Sequence, residues 1–311
     1  MRPGDGSVVP VLEVGGTHVT AARVDLTTRG LRSGRSVHEP LDGDGSAEHI
    51  VSALVRCAGQ VSGASAEPWA VALPGPFDYE RGIGRYEGVG KFDALRGFDL
   101  RAALTASLPG ATAVSFWNDA DAFALGEWWA GAARGHRRVV GITLGTGVGS
   151  CFLHDGRVLR HGPGVAPEGR VHTLRYAGGP LEETVSRRAL RRAYARASGA
   201  SPPDVREIAR LARQGDRAAA GVFAETFGAL GRVLGPLLAA FEPTVLVVGG
   251  AIAGAWDLVS GPLRAGLTEV APARVRRIVI TSAQRPAEAP LLGAAYLATA
   301  CGEPRGRTAP L

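Results

Sequence analysis

The chain has 311 residues, 45% of them hydrophobic and 21% charged. That is enough apolar side chain for one large domain or two smaller ones, at roughly 100–200 residues each, and it excludes a disordered chain. The formal net charge of +6 rests almost wholly on arginine, since Lys91 is the sole lysine; the arginines are scattered with few aromatics between them, no apolar run approaches the roughly 18 residues of a bilayer span, and neither nucleic acid nor a membrane is an expected partner.

Val8–Val14 is predicted as a buried strand. Gly15-Gly16-Thr17 turns it into a second strand over 18–26, giving a hairpin. After a loop at 43–45, residues 46–61 carry helical periodicity with Ser46 as N-cap. A short strand over 69–73 stops at Pro74-Gly75-Pro76. Residues 78–93, rich in glycine and charge, form a long functional loop. A helix over 98–108, a strand over 113–117 and a helix over 118–133 follow.

A second, similar cycle then begins. Arg138–Leu144 is a strand, Gly145-Thr146-Gly147 a turn and 148–153 a strand. A loop-rich stretch over 156–179 leads to helices over 180–198, 204–214 and 216–241. A buried strand over 244–248 closes on Gly249-Gly250, and a helix over 253–270, a strand over 276–281 and a helix over 288–300 complete the order, with 302–311 a frayed tail. The strand–turn–strand at 8–26 is thus echoed at 138–154. Two copies of one α/β unit would leave a cleft between them, where ligands usually bind. The three cysteines, Cys57, Cys151 and Cys301, are odd in number and far apart. They offer neither a disulfide framework nor a CxxC zinc pair, so a reducing cytoplasm is the expected compartment.

Glu13-Val14-Gly15-Gly16-Thr17 is the first candidate phosphate cradle. Two glycines let backbone N–H groups approach an anion, the Thr17 hydroxyl adds a donor, and Glu13 at the strand end can hold Mg²⁺ directly or through water. An ordinary Gly-Gly hairpin is the alternative. Thr143-Leu144-Gly145-Thr146-Gly147-Val148-Gly149 is the second cradle. No Gly-Lys-Thr/Ser follows it and no helix opens at its third glycine, so it is neither a Walker A loop nor a dinucleotide fingerprint. Asn118-Asp119-Ala120-Asp121 ends a strand and opens a helix. Asn118 or Asp119 can serve there as N-cap, or Asp119 can act as general base toward a sugar hydroxyl. Gly249-Gly250-Ala251 offers flat backbone to an adenine or ribose, or simply allows close helix–strand packing. Glu168 and His172, with Glu182 or Glu183 beyond, mix acceptors and donors in a way that suits a polyol ring. As a metal set they are poor, because His172 has no second His or Cys at ligand spacing.

As an ordered series these residues resemble the ROK family of sugar kinases and sugar-responsive repressors, within the actin/hexokinase/Hsp70-like ATPase superfamily. The resemblance covers about residues 11–298 and is carried by Glu13–Thr17 with Val24-Asp25, the turn from Ala72 to Pro76, Asn118 to Ala122 with Gly126-Glu127, Gly145 to Gly149 with Asp155-Gly156, Val248-Gly249-Gly250 and Gly293-Ala294-Ala295. It implies a two-lobed actin-like ATPase (ribonuclease H-like) α/β fold, with mixed sheets flanked by helices and a cleft between the lobes. The expected lobes are 1–117 and 118–286, with 287–311 a C-terminal helix packing back on the first lobe and a frayed tail.

The resemblance also implies ATP-dependent transfer of the γ-phosphoryl group to a hexose hydroxyl, usually O6, with Mg²⁺, by a homodimer. Asp119 matches the family's base. Gly75, Asn118, Glu168, His172 and Glu182 approximately match its sugar contacts, and Gly15, Gly16, Thr17, Thr143, Gly145, Thr146, Gly147, Gly149, Gly249, Gly250 and Ala251 its nucleotide contacts. Three positions depart from the family pattern. Glu13 stands where the family has Asp. The Glu-x-x-His sugar motif appears one residue longer, as Glu168-Gly169-Arg170-Val171-His172. The family's cysteine-rich zinc segment is replaced by residues 175–182, which contain no cysteine, so no zinc site is expected. Repressor members carry an N-terminal helix-turn-helix, and a first phosphate motif at residue 13 leaves no room for one. A kinase is therefore expected, with a catalytically weak sugar-binding regulator as the alternative. Glu87 lies in the loop where the family presents an Asn to the sugar. An acid there can pair with an amino group, so glucosamine or kanosamine stands beside glucose as substrate, the latter as in some antibiotic pathways.

Overall fold

The computed structural model describes residues 8–63, 65–88 and 90–300. Cys301, the tail at 302–311 and Val89 of the loop after Glu87 lie outside the described residues. The chain divides into two compact units, residues 1–130 with 287–311 and residues 131–286.

The first unit is built on β1 (Val8–Val14), β2 (His18–Asp25), β3 (Gly30–Pro40), β4 (Glu67–Leu73) and β7 (Ala111–Asn118), in the sheet order β3-β2-β1-β4-β7. The first three strands form an antiparallel meander, and β4 and β7 run parallel to β1. Such central parallel strands are buried on both faces and read as apolar runs, as β1 and β4 do. Leu12 and Val14 of β1, with Trp69, Val71 and Leu73 of β4, face α1 (Ala47–Gly59) and α2 (Leu100–Ser107). On the other face Val9, Val11, Ala70 and Ala72 meet α3 (Asp119–Ala130) and α10 (Ala289–Ala300). Small side chains on that face let the two helices come close. A Cβ on Gly126 would run into the Ala289 carbonyl, and one on Gly293 into that of Ala122. This packing draws α3 into the first unit, so the boundary falls after residue 130 rather than after 117. Ser46 and Asp99 cap α1 and α2 through His49 N and Ala102 N, at 3.2 and 2.9 Å. Between β4 and α2, a two-residue hairpin of β5 (Phe77–Asp78) and β6 (Ile83–Gly84) structures the start of the predicted long loop.

The second unit repeats the plan. β8 (Arg138–Leu144), β9 (Val148–His154), β10 (Arg157–Leu159), β13 (Val245–Gly249) and β14 (Val279–Ser282) lie in the order β10-β9-β8-β13-β14, a meander followed by two parallel strands. β11 (Arg175–Tyr176) and β12 (Gly179–Pro180) pair in a small separate ribbon. The helix predicted over 180–198 is two, α4 (Glu182–Val185) and α5 (Arg187–Ser198), because Ser186 is extended at φ −78°, ψ 163° and caps α5. α6 (Val205–Arg213) and α7 (Arg217–Phe241) start at Asp caps, Asp204 and Asp216. By length and composition α7 could cross a bilayer, but Val222, Phe223, Phe227, Leu230, Leu234 and Leu238 make it the spine of this unit's core. A 3₁₀ turn at Ala251–Ala255 precedes α8 (Trp256–Val270). The strand expected from residue 276 begins at Val279, because residues 276–278 form the turn that follows α9 (Pro272–Val275), a short helix with Pro272 in its first turn. Cys57 and Cys151 are both buried and not joined in a disulfide.

Candidate functional site

In the first unit, parallel pairing aligns three strand ends. Glu13 of β1 is level with Ala72 of β4, and Leu73 of β4 with Asn118 of β7. The chain therefore leaves the sheet at one edge as Gly15-Gly16-Thr17, as Pro74-Gly75-Pro76 and as Asn118-Asp119. Carboxyl ends of parallel strands are where open α/β sheets bind ligands.

Three neighbours hold the first turn. Gly15 N donates to His18 O at 2.9 Å, closing the hairpin. A Cβ on Gly16 would sit 3.3 Å from Cδ and 3.8 Å from Nζ of Lys91, so glycine leaves room for that side chain to lie across the turn. Phe92 N donates to Gly43 O at 2.6 Å, tying the Lys91 segment to the loop before α1. Thr17 is exposed.

Glu13 keeps 20% of its side chain exposed, and His18 Nε2 lies 3.7 Å from its carboxylate. Burial, then the negative charge of Asp119, push its pKa up to about 7, against the opposing hydrogen bond of Thr20. Burial, and then the proximity of His38, hold the His18 imidazole below its usual range.

At the start of α3 the two alternatives for residues 118 and 119 separate. Asn118 is the cap: its Oδ1 accepts from Ala120 N at 3.1 Å and Asp121 N at 3.3 Å. Its Nδ2 donates to Tyr79 Oη at 3.0 Å. Asp119 Oδ1 accepts from Ala120 N at 2.8 Å. Burial raises the Asp119 pKa, while the Lys91 ammonium pulls it the other way.

Gly75 belongs to the same edge. Tyr79 Oη is 3.4 Å from where its Cβ would be and donates to Leu73 O at 3.2 Å, and Tyr86 Oη donates to Pro74 O at 2.7 Å. Behind them Phe77, Tyr79, Tyr86, Phe92 and Phe116 form a continuous aromatic cluster. Burial raises the Tyr86 pKa, so its phenol stays a donor. Glu87 is exposed, and its carboxylate is 3.0 Å from Arg96.

In the second unit, Thr143 to Gly149 form the β8–β9 turn, and Gly249 is level with Thr143 across β13. Gly145 N donates to Gly147 O at 3.0 Å, and Arg187 N donates to Gly145 O at 2.9 Å. Glu182 lies against Gly147, where a Cβ would collide with it, and accepts from Val148 N at 3.2 Å. Gly250, at φ +84°, packs directly on the Leu144 backbone. Close packing thus accounts for that glycine and brings 249–251 beside the second turn, with Thr146 and Ala251 exposed.

Ser150 fixes the approach of the sugar-motif segment. Its Oγ donates to Gly169 O at 2.5 Å and accepts from Val171 N at 2.9 Å. His172 is half-buried beside Glu182; burial lowers its pKa and the Glu182 carboxylate opposes that. Glu168 is left-handed at φ 52°, exposed, and 3.4 Å from His161 rather than beside His172. Sequence reasoning did not single out Tyr79, Tyr86 and Lys91 as site residues. A sole lysine in an arginine-rich chain was the one available signal.

The ROK family pattern matches residues 10–301. The chain belongs to the ROK family. A ROK family glucokinase from Streptomyces griseus, solved in complex with glucose and AMPPNP, superposes with a TM-score of 0.74 at 27% identity, covering 93% of this chain and 98% of its own. A glucokinase from Thermotoga maritima is 29% identical over 274 residues, 80% of this chain and 85% of the relative. A ROK family transcriptional regulator, a homolog of the E. coli MLC protein, shares the fold with a TM-score of 0.74 at 21% identity, over 94% of this chain and 78% of its own. The mixed sheets flanked by helices are the actin-like ATPase fold of the ROK sugar kinases.

Proposed function

We propose that this ROK protein is an ATP-dependent kinase that transfers the γ-phosphoryl group of ATP to O6 of a hexose, with Asp119 as general base. That it is a sugar phosphotransferase follows from its family and relatives. The observation carrying the rest is the state of Asp119. One carboxylate oxygen is anchored on Ala120 N, and the group lies within the field of Lys91 and Glu13 at the same sheet edge as Asn118 and Gly75.

In this reading Asn118, braced by Tyr79, and the Gly75 turn orient the sugar. Asp119 takes the O6 proton as O6 bonds to the γ-phosphorus and the bond to the β-phosphate oxygen breaks, releasing ADP. The chemistry is mostly positioning and charge stabilisation. His172 with Glu182 is the proposed second set of sugar contacts. In the second unit the turn at Gly145–Gly149 with Gly249–Ala251 is the proposed nucleotide surface; in the first, Gly15-Gly16-Thr17 is the proposed phosphate turn. Mg²⁺ fits the first turn on the chemistry of its donor: Glu13 is an oxygen donor whose proton affinity is raised by burial and by the neighbouring Asp119 carboxylate, and a divalent cation would offset that negative charge. Bound there, the ion would neutralise phosphate charge. The engagement of Glu87 by Arg96 weighs for a neutral hexose over an amino sugar.

The test is Asp119→Asn. Sugar-dependent ADP release with ATP and Mg²⁺ should fall by at least about 10²-fold while glucose still binds, measured by tryptophan fluorescence. Near-normal turnover overturns the assignment. A second reading, a sugar-binding regulator with weak turnover, draws on Glu13, whose longer reach than Asp alters how a metal would be held. It predicts saturable sugar binding by the unmodified protein with no sugar-dependent ADP release.

A further inference from the structure

We infer that Lys91 is a catalytic residue, whose ammonium lies across the first glycine turn to contact the phosphoryl group in transit from ATP. The inference rests on the kinase reading above and adds a cation to it.

The placement of Lys91 is built into the fold. Phe92 is buried, left-handed at φ 61°, and its N–H is bonded to Gly43 O at 2.6 Å. That pins the backbone immediately after Lys91. The stem of Lys91 then runs between Gly43 and Gly16: a Cβ on Gly43 would be 3.5 Å from Lys91 Cβ, and one on Gly16 would be 3.3 Å from its Cδ. The same Gly43 site is 2.8 Å from the Gly16 carbonyl oxygen, so glycine turn, loop and lysine stem form one contact. The ammonium stands 5.8 Å from the Phe92 ring centroid, which steadies a cation without neutralising it.

Charge supplies the second argument. Glu13 and Asp119 already place two carboxylates in each other's field at this edge, and the Lys91 charge is felt at Asp119. A triphosphate brought there would add still more negative charge. Among the described residues Lys91 is in no ion pair, so its charge is not already consumed by a carboxylate. A lysine ammonium is a compact point charge on a flexible stem, able to follow a phosphoryl group over a short path. Beside a turn of backbone N–H groups it completes an anion site that the amides alone leave short of charge.

The experiment compares Lys91→Met and Lys91→Arg with the unmodified protein. Met keeps the length and packing of the stem and removes only the charge. The expected result for K91M is a loss of about 10²–10³-fold in kcat on the high-pH plateau, with glucose affinity unchanged within about threefold and most of the rate recovered in K91R. If the loss disappears at high pH and only the acid limb moves, Lys91 merely tunes Asp119 and the proposal is overturned. Plateau kcat within about threefold of the unmodified protein overturns it too. A binding measurement separates this from failure of the kinase reading. K91M should lose at least about tenfold of the preference for AMPPNP over ADP, and this is readable even in a protein that turns nothing over. An unchanged preference sinks the lysine assignment, whereas normal turnover in Asp119→Asn sinks only the base.

Discussion

Asp119 has to be ionised to accept a proton, and burial opposes that. Its folded-state pKa is raised above that of a free aspartate by burial first, with Lys91 and the Ala120 amide partly offsetting the effect. As the proposed base, Asp119 acts in its deprotonated form, so on that proposal activity is complete at higher pH and is lost as pH falls through the raised value. The acid limb of kcat/KM for sugar phosphorylation should therefore lie above the ordinary aspartate range of about 4. A limb at or below that range would mean the titrating group is not this carboxylate. The candidate pair Asn118-Asp119 stood out in the sequence because a strand-ending Asn-Asp before a helix is a recognisable pattern. The division of labour within it did not, since whether Asn118 or Asp119 caps depends on Tyr79 standing 3.0 Å from the Asn118 amide. Lys91 and Tyr79 were hidden for a related reason. They reach the site from a glycine-rich loop whose course is set by tertiary contacts such as Phe92 N to Gly43 O. Glu168 shows the converse. Sequence spacing grouped it with His172, but a left-handed backbone at φ 52° turns it toward His161.

At the scale of elements, the two-sided burial of β1 and β4 made them legible as apolar runs, and Ser46 announced its helix as a cap. β3 escaped because it is an edge strand, mostly exposed, whose sequence GLRSGRSVHEP has no alternation to read. The break at Ser186 escaped because the arginine-rich stretch after it continues a helical composition. Glycines within helices carry opposite meanings in different places, and only packing separates them. Gly126 of α3 touches the Ala289 carbonyl of α10, whereas a Cβ on Gly221 of α7 would meet nothing within 4 Å. Gly126→Ala should therefore destabilise the protein by about 1–3 kcal/mol, by forcing the two helices apart. Gly221→Ala should stabilise it by about 0.4–1 kcal/mol, by restricting the unfolded chain. Urea unfolding midpoints of the two variants should move in opposite directions. Movement in the same direction would show that the α3–α10 contact is not tight.

At the scale of the molecule, the repeat seen in the two glycine turns extends to whole sheets, a meander and then two parallel strands in each unit. The paired strand–turn–strand cycles made that repeat legible in part, while the third strand of each meander was not read and the membership of α3 depended on which helix faces meet. The last helix in sequence closes a face of the first sheet: Leu291, Leu292, Ala294 and Ala295 are fully buried against Val11, Ala70 and Ala72. The second unit has a core of its own around α7. Cores each drawn from one unit's own residues should open as separate cooperative units rather than in one transition. Leu291→Ala removes a fully buried side chain and should cost about 2–5 kcal/mol, charged to the first unit alone. Hydrogen exchange should then quicken at the amides of β1, β4 and α3 and stay unchanged at β8 and β13. Equal acceleration in both sets would mean that the chain unfolds as one body.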